Sequence, residues 1–209
     1  MSPDGVPRVL GWLLIAGAVI FWIGAVTPPY RQWMGVSLEE YLSIVGAHGR
    51  NWQVMHGLFA AGSLLTLIGL SGFTARVNGS GGSTWATIAL TLFAVSTLLW
   101  FVQLGFRLTV TPWASAELTA SGRMPGEYAA LHRWMGVLLG ADMLLGYQAA
   151  AAYGLAVLGV PGPPRWVGWT ALCFGVVAVP GMITPIFQPP LMLEVVPFVL
   201  GIAIVRTQA

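Results

Sequence analysis

The sequence predicts an all-α protein, an integral membrane bundle of about six transmembrane helices arranged as three helical hairpins with a pseudo-repeat. Three observations lead there. Hydrophobic residues make up 56% of the chain and charged residues only 8%, a composition whose surface water would not dissolve. At 209 residues and about 20 apolar residues per crossing, about six helices and their connections use up the length, so residues 1–209 are expected to form a single transmembrane domain. Finally, Val26-Thr27-Pro28, Val110-Thr111-Pro112 and Ile183-Thr184-Pro185 close three apolar stretches with one signature, each followed within two residues by an aromatic side chain.

Taken in order, the first crossing covers residues 8–26 and is too long and too uniformly apolar for an ordinary cleaved signal segment; it is expected to stay as an anchor. The second covers 52–73, the third 85–110, the fourth 131–160, the fifth 166–183 and the sixth 191–205. Trp residues stand near the starts of several, where an amphipathic ring prefers the headgroup level. Asn78-Gly79-Ser80-Gly81-Gly82 and Pro161-Gly162-Pro163-Pro164 read as tight turns after the second and fourth crossings. Segments 27–51 and 111–130 are much longer and are expected as surface loops on one face. Within the first, Ser37-Leu38-Glu39-Glu40 is a capping box that starts a short helix with Tyr41, Leu42 and Val45 on its apolar side, expected to lie on the membrane surface.

The first and fifth crossings match at a constant offset: Arg8, Gly11, Trp12, Gly24, Thr27 and Pro28 recur as Arg165, Gly168, Trp169, Gly181, Thr184 and Pro185. Because Pro cannot continue a helix and biases its predecessor away from helical angles, Thr-Pro reads first as a stop at the membrane surface. The other reading is pseudo-symmetry, with equivalent groups set around one central cavity. Long loops outside and short turns inside favour an inner N-terminus in the cell membrane, although the Arg count does not discriminate between the faces.

All nine basic residues are Arg, so with no Lys the retinal Schiff base and the pyridoxal phosphate enzyme are excluded. Cys173 is the single cysteine, which rules out a disulfide within the chain and a thiolate cluster. A net charge of +2 gives no reason to expect nucleic acid; the expected partners are the lipid bilayer and a membrane-protein complex or a second copy of the chain.

Chemistry is expected where the membrane makes ionisable groups costly. Asp142 lies about eleven residues into the fourth crossing, or about 16 Å along its axis, near mid-bilayer, so its carboxyl must be protonated, paired or wet. The same crossing carries Gly136, Gly140 and Gly146, small residues expected to admit close neighbours and to make it the centre of the bundle. His56, His132 and Glu194 stand close to the starts of the second, fourth and sixth crossings and are expected at one face, with Gln103 and Arg107 of the third at the same level. His56, His132 and Glu194 are the candidate ligands of a divalent metal. The two imidazoles are candidates for haem, with Gln103 and Arg107 beside them, and Arg107 is a candidate partner for Glu194 or for an anionic headgroup. Asp142 and Glu194 are the candidate buried proton sites. Pro197 breaks the helix beside Glu194, and broken helices at membrane depth usually line something.

Three functional classes are compatible with these residues. The leading expectation is a non-catalytic binding or accessory subunit holding a lipid, quinone or pigment, or docking to a larger complex, with the other two as alternatives. Another is a small proton-coupled transporter using Asp142 and Glu194, and the last is a redox or metal enzyme using His56, His132 and Glu194. The chain lacks the Gly-rich phosphate loops and the nucleophile elbow that would mark a particular enzyme.

Overall fold

The computed structural model describes residues 8–30, 32, 35–161, 163–181 and 192–207, and these form helices and connections without a strand. The helices are α1 (Arg8–Val26), α2 (Leu38–Ala47), α3 (Gly49–Arg76), α4 (Ser83–Ser121), α5 (Tyr128–Leu158), α6 (Arg165–Gly181) and α7 (Val195–Arg206). Of these, α1, α3, α4 and α5 are long and apolar enough to cross a membrane. The remaining two apolar helices, α6 and α7, have 17 and 12 residues, below the usual length for a crossing, so among the described residues four spans stand where about six were expected.

Exposed Trp residues mark where the bilayer fits. Trp85 and Trp113 both face outward on α4, 28 residues or about 42 Å apart, close to the thickness of a bilayer with its headgroups. Trp12, Trp166 and Trp169 are also exposed at the end shared with Trp85, and Trp134 at the end shared with Trp113. Trp52 departs from this pattern. It is fully buried, with its indole N–H donated to the Arg107 carbonyl at 2.7 Å, and so acts as a clamp between α3 and α4 rather than as an interfacial anchor.

Each helix leans on the next. α1 packs on α3, α3 on α4, α4 on α5 and α5 on α6, while α7 returns to α1 and touches α6 more lightly. The result is a ring of six, so α5 is one stave of the ring and not its centre. The first two expected hairpins are close pairs, whereas α6 and α7 rely mainly on α5 and α1. Gly pairs let helix backbones meet: a Cβ on Gly62 would stand 2.7 Å from the Gly17 carbonyl oxygen, one on Gly201 2.7 Å from that of Gly11, and one on Gly154 2.6 Å from that of Gly168. On α5, Gly136 and Gly140 face open space, whereas Gly146 is spent on a close approach to Leu193 and Ser96, as Gly154 is against α6.

The Thr-Pro marks do not behave alike. At the first, α1 stops at Val26 and the Thr27 hydroxyl donates to the Ile23 carbonyl at 2.8 Å, which satisfies an end group that the helix leaves open. At the second, α4 runs on through Thr111 and Pro112 to Ser121 and ends where Gly122 takes a left-handed φ of 71°. Tertiary packing overrides the stop: Thr111, Ala114 and Ser115 are buried, and Ser115 donates to the Leu42 carbonyl at 2.6 Å. Most of segment 111–130 is therefore helix rather than surface loop. The third mark lies outside the described residues, as do the expected end of the fifth crossing and Leu191, the expected start of the sixth. In the offset match, Arg8 and Arg165 both open helices and Trp12 and Trp169 both face outward, while Thr184 and Pro185 lie outside the described residues.

The capping box forms in part, with the Glu40 amide donating to the Ser37 hydroxyl at 3.2 Å. Tyr41, Leu42 and Val45 are buried as a set, but against protein. Helix α2 packs on α4 and α3 and caps one end of the ring instead of laying its apolar side on lipid. The end it covers is called the α2 end below, and the opposite one, closed by the Val77–Gly82 connection, the turn end.

Candidate functional site

The apolar core is divided. At the turn end Phe73, Phe93, Tyr153 and Leu200 pack together, and at the α2 end Phe21, Trp52, Phe59, Trp100 and Tyr128 do so. Between the two lies a polar layer. Asp142 of α5 accepts from the Ser96 hydroxyl of α4 at 2.6 Å, and the same hydroxyl is 3.0 Å from the Asp142 carbonyl oxygen. Glu194, at the N-cap position of α7, accepts from the Thr66 hydroxyl of α3 at 2.8 Å. Both carboxyls are buried, and both line one cavity of about 20 Å³ together with Phe21, Ser63, Thr97 and Trp100. That space admits one or two water molecules. Five stretches of the ring contribute to it, with α6 alone left out.

Asp142 is buried between α4 and α5. Glu194 departs from its expected level. Thr66 is ten residues, or about 15 Å, further along α3 than His56, so Glu194 sits well inside the bundle instead of at the face where the histidines are. The reason is local: residues 192–193 are helical, Glu194 is a turn, and α7 starts only afterwards. Pro197 falls in the first turn of α7, where a missing amide costs nothing, so the break that the sequence placed at the proline is made at Glu194 itself.

The histidines occupy a second level. Trp52 is bonded to Arg107, and the Phe59 and Trp100 rings are 5.8 Å apart, so α3 and α4 run in a register that puts His56 opposite Gln103. The expectation for Gln103 and Arg107 therefore holds for level. The Arg107 guanidinium lies 5.8 Å from the centre of the Trp100 ring, a cation–π contact. His132 is exposed and lies 5.4 Å, ring to ring, from Tyr41. Tyr41 in turn lies 5.8 Å from Trp52, and Trp52 lies 4.2 Å from His56, so two aromatic rings stand between the imidazoles. Among the described residues no three His, Cys, Asp or Glu side chains gather where they could hold a metal ion, and His56, His132 and Glu194 are not brought together.

Three further hydroxyls close the α2 end. Tyr128 donates to Thr111 at 3.1 Å, and Tyr41 is hydrogen-bonded to both. Burial pushes the Tyr41 and Tyr30 phenols above their ordinary range, and the charge of Arg107 pulls both the other way.

Sequence reasoning missed Ser96, Thr66 and Trp100. For Ser96 and Trp100 the signal was present as spacing: Ser96, Trp100, Gln103, Arg107, Thr111 and Ser115 follow one another at three or four residues and so share a face of α4. A hydroxyl in a helix more often serves its own preceding turn, as Thr97 does with the Phe93 carbonyl at 2.8 Å, and this hides the few that reach a neighbour. What the fold and this layer define is an all-helical protein with membrane-spanning helices and a buried two-carboxyl cavity. Set against known protein families, curated proteins and solved structures, the chain has no match.

Proposed function

We propose that the protein is a small proton-coupled membrane transporter whose titrating groups are Asp142 and Glu194. The observation that carries this reading is that two carboxyls from different helices line one water-sized cavity inside the ring. Each accepts a hydroxyl hydrogen bond, which serves a carboxylate and a neutral acid alike, so either can hold or release a proton in place. A bilayer interior makes two charged carboxylates on one small cavity costly, which favours a shared proton inventory that changes when one side gains access. The turn at Glu194 adds a broken helix next to the site, the usual arrangement where a transporter binds its coupling ion. At about 20 Å³ the cavity is far smaller than the roughly 300 Å³ or more of a typical ligand pocket, so a quinone or pigment is a poor fit at this place.

A proton-concentration jump applied to proteoliposomes on a capacitive sensor tests the reading without knowledge of the transported solute. Wild type should give a transient charge displacement, and the Asp142→Asn, Glu194→Gln double variant should lose it while eluting as the same monodisperse species. An undiminished signal in the double variant overturns the assignment.

One observation favours the alternative of a lipid-binding or accessory subunit. A shallow groove of about 510 Å³ runs along the outward side of α6, lined by Trp169, Thr170, Cys173, Phe174 and Val177. Its shape suits an acyl chain or a partner helix. Stoichiometric lipid retained by wild type and lost in Val177→Trp, read by native mass spectrometry, would support that role.

A further inference from the structure

We propose that the Asp142 and Glu194 cavity exchanges protons with the α2 end only, through a water-bridged path along α4 that passes Trp100, Gln103 and His56. The inference rests on the transport reading above and adds to it the route and its polarity.

Three buried side-chain nitrogens have no hydrogen-bond partner among the described residues: Nε1 of Trp100, Nε2 of Gln103 and Nε2 of His56. Their residues are 4%, 1% and 0% exposed, so bulk solvent does not satisfy them. A buried polar atom left alone is costly, and each one in a native structure calls for an explanation. Here three lie in one stretch. Trp100 lines the carboxyl cavity, Gln103 is the next turn of the same helix, and His56 stands opposite Gln103 by the register of α3 against α4.

Their chemistry is complementary. Nδ1 of His56 lies 2.7 Å from the Trp52 carbonyl oxygen, which can only accept, so Nδ1 carries a hydrogen and Nε2 of the neutral ring is left as an acceptor. Trp100 and Gln103 offer only N–H donors at the orphaned atoms. A group that takes hydrogen bonds from Trp100 and Gln103 and gives one to His56 satisfies all three, and a water molecule is the smallest group that does both. Where separate waters take the Trp100 and Gln103 bonds, each keeps a lone pair free and passes a proton on by accepting one from the cavity side while releasing another toward the α2 end, the three side chains holding the waters without titrating.

The two directions out of the cavity are unlike. Toward the turn end the buried face of α4 continues as Phe93, Ala89 and Ala86, packed against Phe73, Tyr153 and Val157. Toward the α2 end it continues as Gln103, Arg107, Thr111 and Ser115. Thr111 meets the hydroxyls of Tyr128 and Tyr41, whose ring touches the exposed His132.

Infrared spectra of the full-length protein in lipid, taken as the medium is switched from H₂O to D₂O, time the exchange of the protonated carboxyl C=O band, assigned through Asp142→Asn and Glu194→Gln. Trp100→Phe keeps a ring against Phe59 and removes only the N–H, and Gln103→Leu removes the next donor. Each is expected to slow exchange at least tenfold, whereas Thr74→Val, toward the turn end, leaves it unchanged. Equal rates in Trp100→Phe and wild type overturn the path and leave the carboxyl pair standing. Slowing by Thr74→Val in their place reverses the polarity and overturns it too. Absence of any band sensitive to Asp142→Asn or Glu194→Gln removes the carboxyl reading and the path with it. Exchange restored to the wild-type rate by a bound quinone would replace water by a ligand headgroup and likewise overturn it.

Discussion

The Ser96 hydroxyl lies 2.6 Å from Asp142 Oδ1 and ties α4 to α5 at the layer where Thr66 and Glu194 tie α3 to the start of α7. These two bonds lie in the polar layer between two of the apolar clusters. Removing the donor leaves a buried carboxyl without its partner. Ser96→Ala is therefore expected to lower unfolding free energy by about 1–3 kcal/mol, read as a fall in the thermal midpoint in detergent. A midpoint equal to wild type would mean that the carboxyl finds water instead.

Glycines on these helices are not equivalent. A Cβ at Gly62 would stand 2.7 Å from the Gly17 carbonyl oxygen and 2.7 Å from the Phe21 amide nitrogen, whereas one at Gly136 meets nothing. Gly62→Val should destabilise by about 1–3 kcal/mol through forced separation of α1 and α3. Gly136→Ala should raise stability by up to about 1 kcal/mol from helix propensity. Comparable losses in both would show that close approach does not govern this bundle.

Pro112 occupies the interior of α4 and denies it an amide. An interior proline costs a helix about 3 kcal/mol relative to alanine, less whatever its surroundings recover. Pro112→Ala is expected to increase the thermal midpoint and to leave helix content by circular dichroism unchanged or slightly higher. A lower midpoint would mean that the ring itself is needed where α2 and Tyr128 close over this segment.

The α2 end should weaken in alkali. Burial raises the Tyr41 and Tyr30 phenols above the ordinary value of 10.0, so the folded state holds these protons more tightly than the unfolded chain does. Stability is then full below about pH 10 and falls as pH rises from the unfolded value through the folded one. Hydrogen exchange of the α2 amides should accelerate over that range, and Tyr41→Phe should shift the acceleration upward in pH. Acceleration starting below pH 9 in wild type would contradict the sign.

Composition alone determined the helical membrane class, because a chain this apolar with so few charges has few other ways to satisfy its backbone. Helix order, the Val77–Gly82 connection and the Ser37 cap were equally legible, since each depends on residues within a turn or two of one another. Contacts between distant segments were not. Whether Thr-Pro ends a helix depended on what packs beside it: Thr27 closes α1, while Ser115 bonded to Leu42 holds α4 intact past Pro112. Counting residues from an assumed helix start put Glu194 beside the histidines, but a turn at that residue lets it reach Thr66 and share a cavity with Asp142. Periodicity shows which residues share a face of one helix. Only the packing of six helices into a ring decided which faces look at each other, and so which two carboxyls line one cavity.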